Sequence, residues 1–106
     1  MSSYDLHPAA VEDIKEIWNY VAARNRPAAD DLVSEFFDKF ESIARSPSIG
    51  HRRPDLASAP IRFSLVHEYL IAYAPEGRRM IILAIIHGRR NPRVMGAILS
   101  GRNLQI

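Results

Sequence analysis

The feature that most constrains this chain is the run Met80–Ile86, M-I-I-L-A-I-I, which contains no polar residue. Its length, its isoleucines and its turn boundaries predict a β-strand rather than a buried helix. Because apolar residues do not alternate with polar ones, the strand must be covered on both faces and flanked on both edges. A second apolar run, Leu65–Ala74, precedes it across Pro75-Glu76-Gly77-Arg78. Pro75 presets φ for the second residue of a turn and Gly77 accepts positive φ behind it, so the two runs predict a hairpin with a short, bulged loop. Past Ile86 the chain leaves the core as His87-Gly88-Arg89-Arg90-Asn91-Pro92 and presents charge to water.

The segments upstream supply what covers such a sheet. Ser3–Leu6 reads as a weak first strand that His7-Pro8 ends. Val11, Ile14, Ile17, Trp18, Val21 and Ala22 then recur at helical spacing, predicting an amphipathic helix over 8–23 with Glu12 and Asp13 near its positive end. Pro27 opens a second helix with Leu32, Val33, Phe36, Phe37, Phe40 and Ile43 on its apolar face, running to Arg45. The short link between the two makes them antiparallel. After a proline-containing loop over 51–60, Ile61–Val66 predicts a strand with Ile61, Phe63 and Leu65 on one face and Arg62, Ser64 and Val66 on the other. In the next strand Tyr69, Ile71 and Tyr73 share a face. Pro92–Leu99 is a short helix in which Val94, Ile98 and Leu99 are expected to dock. The order β–α–α–β–β–β with a short final helix predicts an α+β fold: an antiparallel helix hairpin on one face of a small, mainly antiparallel sheet, the other face and the strand ends remaining available.

A chain of 106 residues is one domain, expected over 1–99 with a tail over 100–106. There is no cysteine, and the four histidines lack metal-ligand spacing, so no disulfide, metal or other cofactor is expected. No apolar run spans a bilayer and the N-terminus carries no signal-peptide pattern, which predicts a cytoplasmic protein without a membrane partner. The net charge of +2 conceals an asymmetry. Residues 1–41 hold nine acids and four bases, whereas residues 42–106 hold ten arginines and three acids. A basic, sheet-forming half invites a polyanion or an acidic protein segment.

Cutting a nucleic acid without metal requires a proton acceptor, a proton donor and cations. Arginine supplies only the last, since it does not act as a base at neutral pH. The two lysines, Lys15 and Lys39, belong to the helices. The proton carriers that remain are His51, Asp55, His67, Glu68 and His87. His67 and Glu68 are neighbours at a strand junction with side chains on opposite faces, which makes a poor dyad. His87, beside Gly88, reads as a tether or as a proton carrier. Arg89 and Arg90 at the strand exit are the leading binding residues, with Arg93 beyond them. Arg62, among small and apolar neighbours, either pairs with a buried carboxylate or marks a binding surface. Tyr69 and Tyr73 form core packing or a base-stacking platform. Arg52-Arg53 is loop charge suited to phosphate without specificity.

These segments resemble the RelE/ParE superfamily of bacterial toxin–antitoxin systems. The resemblance rests on the element order, on A-V-E-D-I-K-E-I-W-N-Y-V in the first helix, and on I-R-F-S-L-V-H-E-Y-L-I-A-Y leading into I-I-L-A-I-I-H-G-R-R-N. It is nearer the ParE branch, which commonly carries an arginine at Arg62, a strand like Tyr69-x-Ile71-x-Tyr73 and a strand end like His87-Gly88-x-Arg90. The resemblance implies a toxin neutralised by a cognate antitoxin, with a homodimer or a toxin–antitoxin hetero-oligomer as the assembly. ParE-type members bind DNA gyrase; RelE-type members cut messenger RNA on the ribosome with strand lysines and arginines and a late tyrosine or histidine. Here Ile61 and Phe63 stand in the region of those lysines and Met95 and Gly96 near the late tyrosine. The expected reading is therefore a ParE-like gyrase inhibitor without a catalytic centre, bound through Arg62, Tyr69, Tyr73, Arg89, Arg90 and Arg93, and facing an acidic-leaning antitoxin. A RelE-like ribonuclease would use Arg90, Arg62 and His87, and a nontoxic interaction module of the same fold is the third reading. His87 converging with a carboxylate and Arg90 on an open pocket would favour cutting.

Overall fold

A computed structural model describes residues 4–58 and 60–102. Strand β1 (Tyr4–Leu6) leads into helix α1 (Pro8–Ala22) and helix α2 (Arg26–Arg45). A 3₁₀ turn at Pro47–Ile49 and a loop connect to β2 (Arg62–Val66), β3 (Tyr69–Glu76), β4 (Arg79–His87) and helix α3 (Pro92–Gly101). The sheet order is β1-β4-β3-β2. The β1–β4 pair is parallel, and the β4–β3 and β3–β2 pairs are antiparallel. The continuous apolar run is accordingly an inner strand, bonded on both edges, as its lack of alternation requires.

Each helix begins where its sequence supplies a cap. The His7 ring accepts from the Ala9 N–H, and the Asn25 and Asn91 side chains accept from Ala28 and Arg93, each with proline in the first turn behind it. The helix hairpin covers one sheet face. Ala10 and Ile14 of α1 with Phe36, Phe40 and Ile43 of α2 pack on Val66, Ile71, Tyr73, Ile82 and Ile85. Full burial of each large apolar side chain is worth roughly 1.5–3 kcal/mol.

The second face departs from expectation, because it is not left available. Met95 and Leu99 of α3, with Leu56 from the loop, cover Leu70, Ala72, Ala74, Leu83, Ala84 and Ile86. Met95 takes the inward position assigned to Val94, which is instead exposed. The helix also passes Leu99 to Gly101, and Arg102 is anchored beyond it, so the folded unit extends past the expected boundary. Residues 103–106 of the expected tail, like part of the weak first strand, lie outside the described residues.

The hairpin turn is tighter than the sequence suggests. Pro75 is still within β3, paired with Met80, and only Gly77-Arg78 separate the paired Glu76 and Arg79. Gly77 alone supplies positive φ, as a primed two-residue turn with glycine first demands. The irregularity lies within the strands. Ala72 pairs with Ala84 while Tyr73 pairs with Ile82, leaving Leu83 as the extra residue of a bulge. That single residue reverses the alternation of β4, so Met80 and Ile82 face the helices before the bulge and Ile85 after it.

Candidate functional site

The bulge places His87 on the helix side, opposite Tyr69 in register. The Tyr69 ring meets the His87 ring edge-on at 5.1 Å and the Phe36 ring at 5.5 Å. His87 Nε2 lies 2.9 Å from Glu68 Oε1, while its Nδ1 accepts from the Arg89 N–H at 3.0 Å. Since Nδ1 is the acceptor, Nε2 carries the proton and donates to Glu68, and neither ring nitrogen is left to take a proton from a substrate. Gly88 makes this approach possible: its N–H donates to the Glu68 carbonyl at 2.7 Å, and a Cβ there would stand 3.0 Å from the same oxygen.

One residue away, His67 occupies the left-handed region at φ 53°, costing about 1–2 kcal/mol for a side chain without local compensation. Its Nε2 meets Glu35 Oε1 of α2 at 2.8 Å. The two neighbours His67 and Glu68 thus pair with other residues, as their opposite orientations predict, and each forms half of a His–Glu contact.

These groups rim a groove of about 930 Å³ between the helix hairpin and the strand ends. Its helix wall carries Glu16, Asp31 and Glu35; its sheet wall carries Arg89 and Arg90. At its floor Arg102 forms a bidentate pair with Asp13 at 2.9 and 3.0 Å and donates to the Leu83 carbonyl, while Asp13 also accepts from the Ile85 N–H. The strand exit is therefore a groove of mixed charge rather than a purely cationic mouth. Among the described residues, Glu16, Asp31, Arg89 and Arg90 have no side-chain ion pair. Burial first, then the charge of Glu68, raises the phenol pKa of Tyr69 and keeps it a neutral donor at the groove wall.

The other end of the sheet is built differently. Tyr73 is 2 % exposed, and its hydroxyl donates to the Pro47 carbonyl at 2.7 Å while accepting from the Gly50 N–H at 2.9 Å. Burial raises its pKa most; the Gly50 bond and Arg62 oppose that rise. Arg62 donates to the Gly50 carbonyl at 3.0 Å. A smaller cleft of about 280 Å³ opens beside it, with Arg52 and Arg78 on its rim.

A scan against protein-family models matches residues 4–92 to the ParE toxin of the type II toxin–antitoxin system parDE. The chain belongs to the ParE toxin family. No curated protein matches it. Membership makes the chain the toxin component of a toxin–antitoxin pair, with an antitoxin as its partner.

Of the residues marked by the toxin's sequence, the structure gathers Tyr69, His87, Arg89 and Arg90 around the large groove. Arg93 lies on the first turn of α3 and outside the groove lining. Arg62 and Tyr73 are at the opposite end. The convergence that would favour cutting is present, as His87 meets Glu68 and both line the open groove together with Arg90; Arg62, which a ribonuclease would also use, lies at the opposite end. Sequence reasoning missed Glu35, Asp13 and Arg102. Asp13 did carry a signal, since it stands between Ala10 and Ile14 on the buried stripe of α1, where an acid needs a partner. Among the described residues no three metal-ligating side chains converge, and no helix is long and apolar enough to cross a membrane.

Proposed function

We propose that this toxin acts by binding DNA gyrase and inhibiting it, without a cutting centre of its own, and that a cognate antitoxin segment neutralises it by filling the groove between the helix hairpin and the sheet. The observation that carries this reading is the state of His87: both ring nitrogens are engaged within the chain, one by the Arg89 N–H and one by Glu68. A ring held that way is a strut for the strand exit. The arginine that a ribonuclease would also need, Arg62, is held by Gly50 at the other end of the sheet.

The groove sets the chemistry of the antitoxin segment. An apolar stripe would meet Ile17, Leu32 and Tyr69. Acids on one flank would face Arg89 and Arg90, and bases on the other would face Glu16 and Asp31. An acidic-leaning segment satisfies only the sheet wall, so a segment with both signs fits better. Purified toxin added to gyrase and relaxed plasmid is expected to block supercoiling or to leave linear DNA, and stoichiometric antitoxin is expected to restore activity. Unimpeded supercoiling at large molar excess of toxin defeats the gyrase reading.

The contact between His87 and Glu68 beside Arg90 favours one second reading, a ribosome-dependent ribonuclease in which Glu68 takes the proton. Primer extension on translated messages would then show cuts that Glu68→Gln abolishes. Uncut messages rule that reading out.

A further inference from the structure

Arg62 had two ways to satisfy its charge on the helix-side face of β2, a buried carboxylate or a ligand. Among the described residues no carboxylate pairs with it. Its guanidinium donates to the Gly50 carbonyl, and Arg62 lines the cleft of about 280 Å³ at the hairpin end. Arg52 and Arg78 line the same cleft, and neither has an ion pair or side-chain hydrogen bond among the described residues. Arg79 is the exception, since Asp5 chelates it and Glu76 lies near it. No carboxylate appears among the residues lining the cleft. Three arginines lining one small cleft repel each other unless an anion joins them.

The site is also held in shape before any ligand arrives. Arg62 is tied to Gly50, and Gly50 is tied to the buried Tyr73 hydroxyl, which in turn holds Pro47. A cation fixed by such a chain loses little freedom on binding. The lining also has apolar members, Pro47, Pro60, Pro75 and the buried Met80. A carboxylate is satisfied by one guanidinium fork, whereas a tetrahedral phosphate offers oxygens to three. The volume admits a phosphate with one small flat group and excludes a peptide helix.

We infer that the cleft formed by Arg52, Arg62 and Arg78 is a phosphate site, taking the phosphate of a nucleotide either free or within a nucleic-acid strand. It lies at the opposite end of the sheet from the groove and does not depend on the gyrase reading.

The full chain, labelled with ¹⁵N, is titrated separately with inorganic phosphate, AMP, a short single-stranded DNA and an oligoglutamate peptide while amide shifts are followed. AMP or the oligonucleotide is expected to move Gly50, Arg62 and Tyr73, and added salt is expected to weaken the effect. Shifts with AMP identify a free nucleotide as the source, and shifts with the oligonucleotide alone identify a backbone phosphate. The double variant Arg52→Gln/Arg78→Gln changes only exposed side chains, should keep the wild-type melting midpoint, and should weaken binding about tenfold or more through loss of charge-assisted contacts. The inference is overturned by shifts absent at millimolar phosphate, AMP and oligonucleotide, by shifts centred on Arg89 and Arg90, by unaltered affinity in the double variant, or by oligoglutamate binding as tightly as AMP.

Discussion

At the end of the sheet where β4 leaves the core, Glu68 meets His87, Glu35 meets His67 and Asp13 meets Arg102. At the end where β3 turns into β4, Arg52, Arg62 and Arg78 share a cleft without a carboxylate in its lining. Both ends are rich in charge, yet the first pairs most of it and leaves charges of both signs, Glu16 and Asp31 against Arg89 and Arg90, whereas the second pairs Arg79 with Asp5 and leaves three charges of one sign. Internal pairing fixes a surface and leaves shape to recognise a partner. Unpaired like charge leaves a field, and a field selects an anion. The exposed His–Glu contacts add little stability in themselves, as exposed ion pairs do. Their value is positional, since they hold the β2–β3 loop against α2 and the strand exit against the β2–β3 loop.

The sharpest test of this contrast is Arg102→Met. Arg102 and Asp13 are only 14 % and 17 % exposed, so removing the cation strands a largely buried carboxylate at the groove floor. A loss of about 3 kcal/mol is expected, read as a lower urea midpoint at unchanged slope. A loss under half that size would mean that water already reaches Asp13 and that the groove floor is not internally sealed.

Next in size is Gly50→Ala at the other end. A Cβ there would collide with the Tyr73 hydroxyl oxygen and stand 2.8 Å from the Phe63 carbonyl oxygen. One of them must move, at a cost of about 1–3 kcal/mol, and the displacement should carry Arg62 with it. Thermal melting reads the stability, and the shift of the Arg62 side-chain resonance reads the displacement. Tyr73→Phe removes the donor to Pro47 and leaves the buried Gly50 N–H without its acceptor, costing about 1–3 kcal/mol.

That tyrosine also gives the cleft end an alkaline dependence. Burial raises the Tyr73 pKa, so the folded state holds the phenolic proton more tightly than the unfolded chain does. Stability from this source is complete below about pH 10, the unfolded value, and is lost as pH rises through the folded value. Tyr73→Phe should flatten the fall in melting midpoint above that pH, leaving the part that Tyr69 contributes. An unchanged slope would place the proton uptake elsewhere. The smallest effect belongs to the unpaired cations themselves. Arg52→Gln and Arg78→Gln should each change stability by no more than about 0.5 kcal/mol, as exposed substitutions away from special features do. A large loss would show that these arginines are spent on the fold after all.

Periodicity and propensity made most of the fold legible. The unbroken run Met80–Ile86 required an inner strand, and the helical spacing in 8–23 and 27–45 required two amphipathic faces to cover it. What sequence could not reveal depended on distances between remote segments. The bulge at Leu83 has no local signature, yet it decides that His87 faces the helices. The cover on the second sheet face depended on Met95 turning inward, which a short helix containing Gly96 did not announce. For the site, Arg89 and Arg90 could be read as a charged exit. The pairing of His87 with Glu68, nineteen residues apart, could not. Arg62 was legible as an anomaly because a cation on a strand face without neighbours of opposite sign must be answered by something.

The parallel pairing of β1 with β4 has a consequence during synthesis. Tyr4, Asp5 and Leu6 find their partners Met80, Ile81 and Ile82 only after most of the chain has been made. Strand β4 is also the one that joins β1 to the rest of the sheet. A nascent chain can coil its two helices early, because their contacts are close in sequence. It cannot close its sheet until the last strand emerges. Until then the nascent polypeptide lacks the closed sheet against which the groove and the cleft are built.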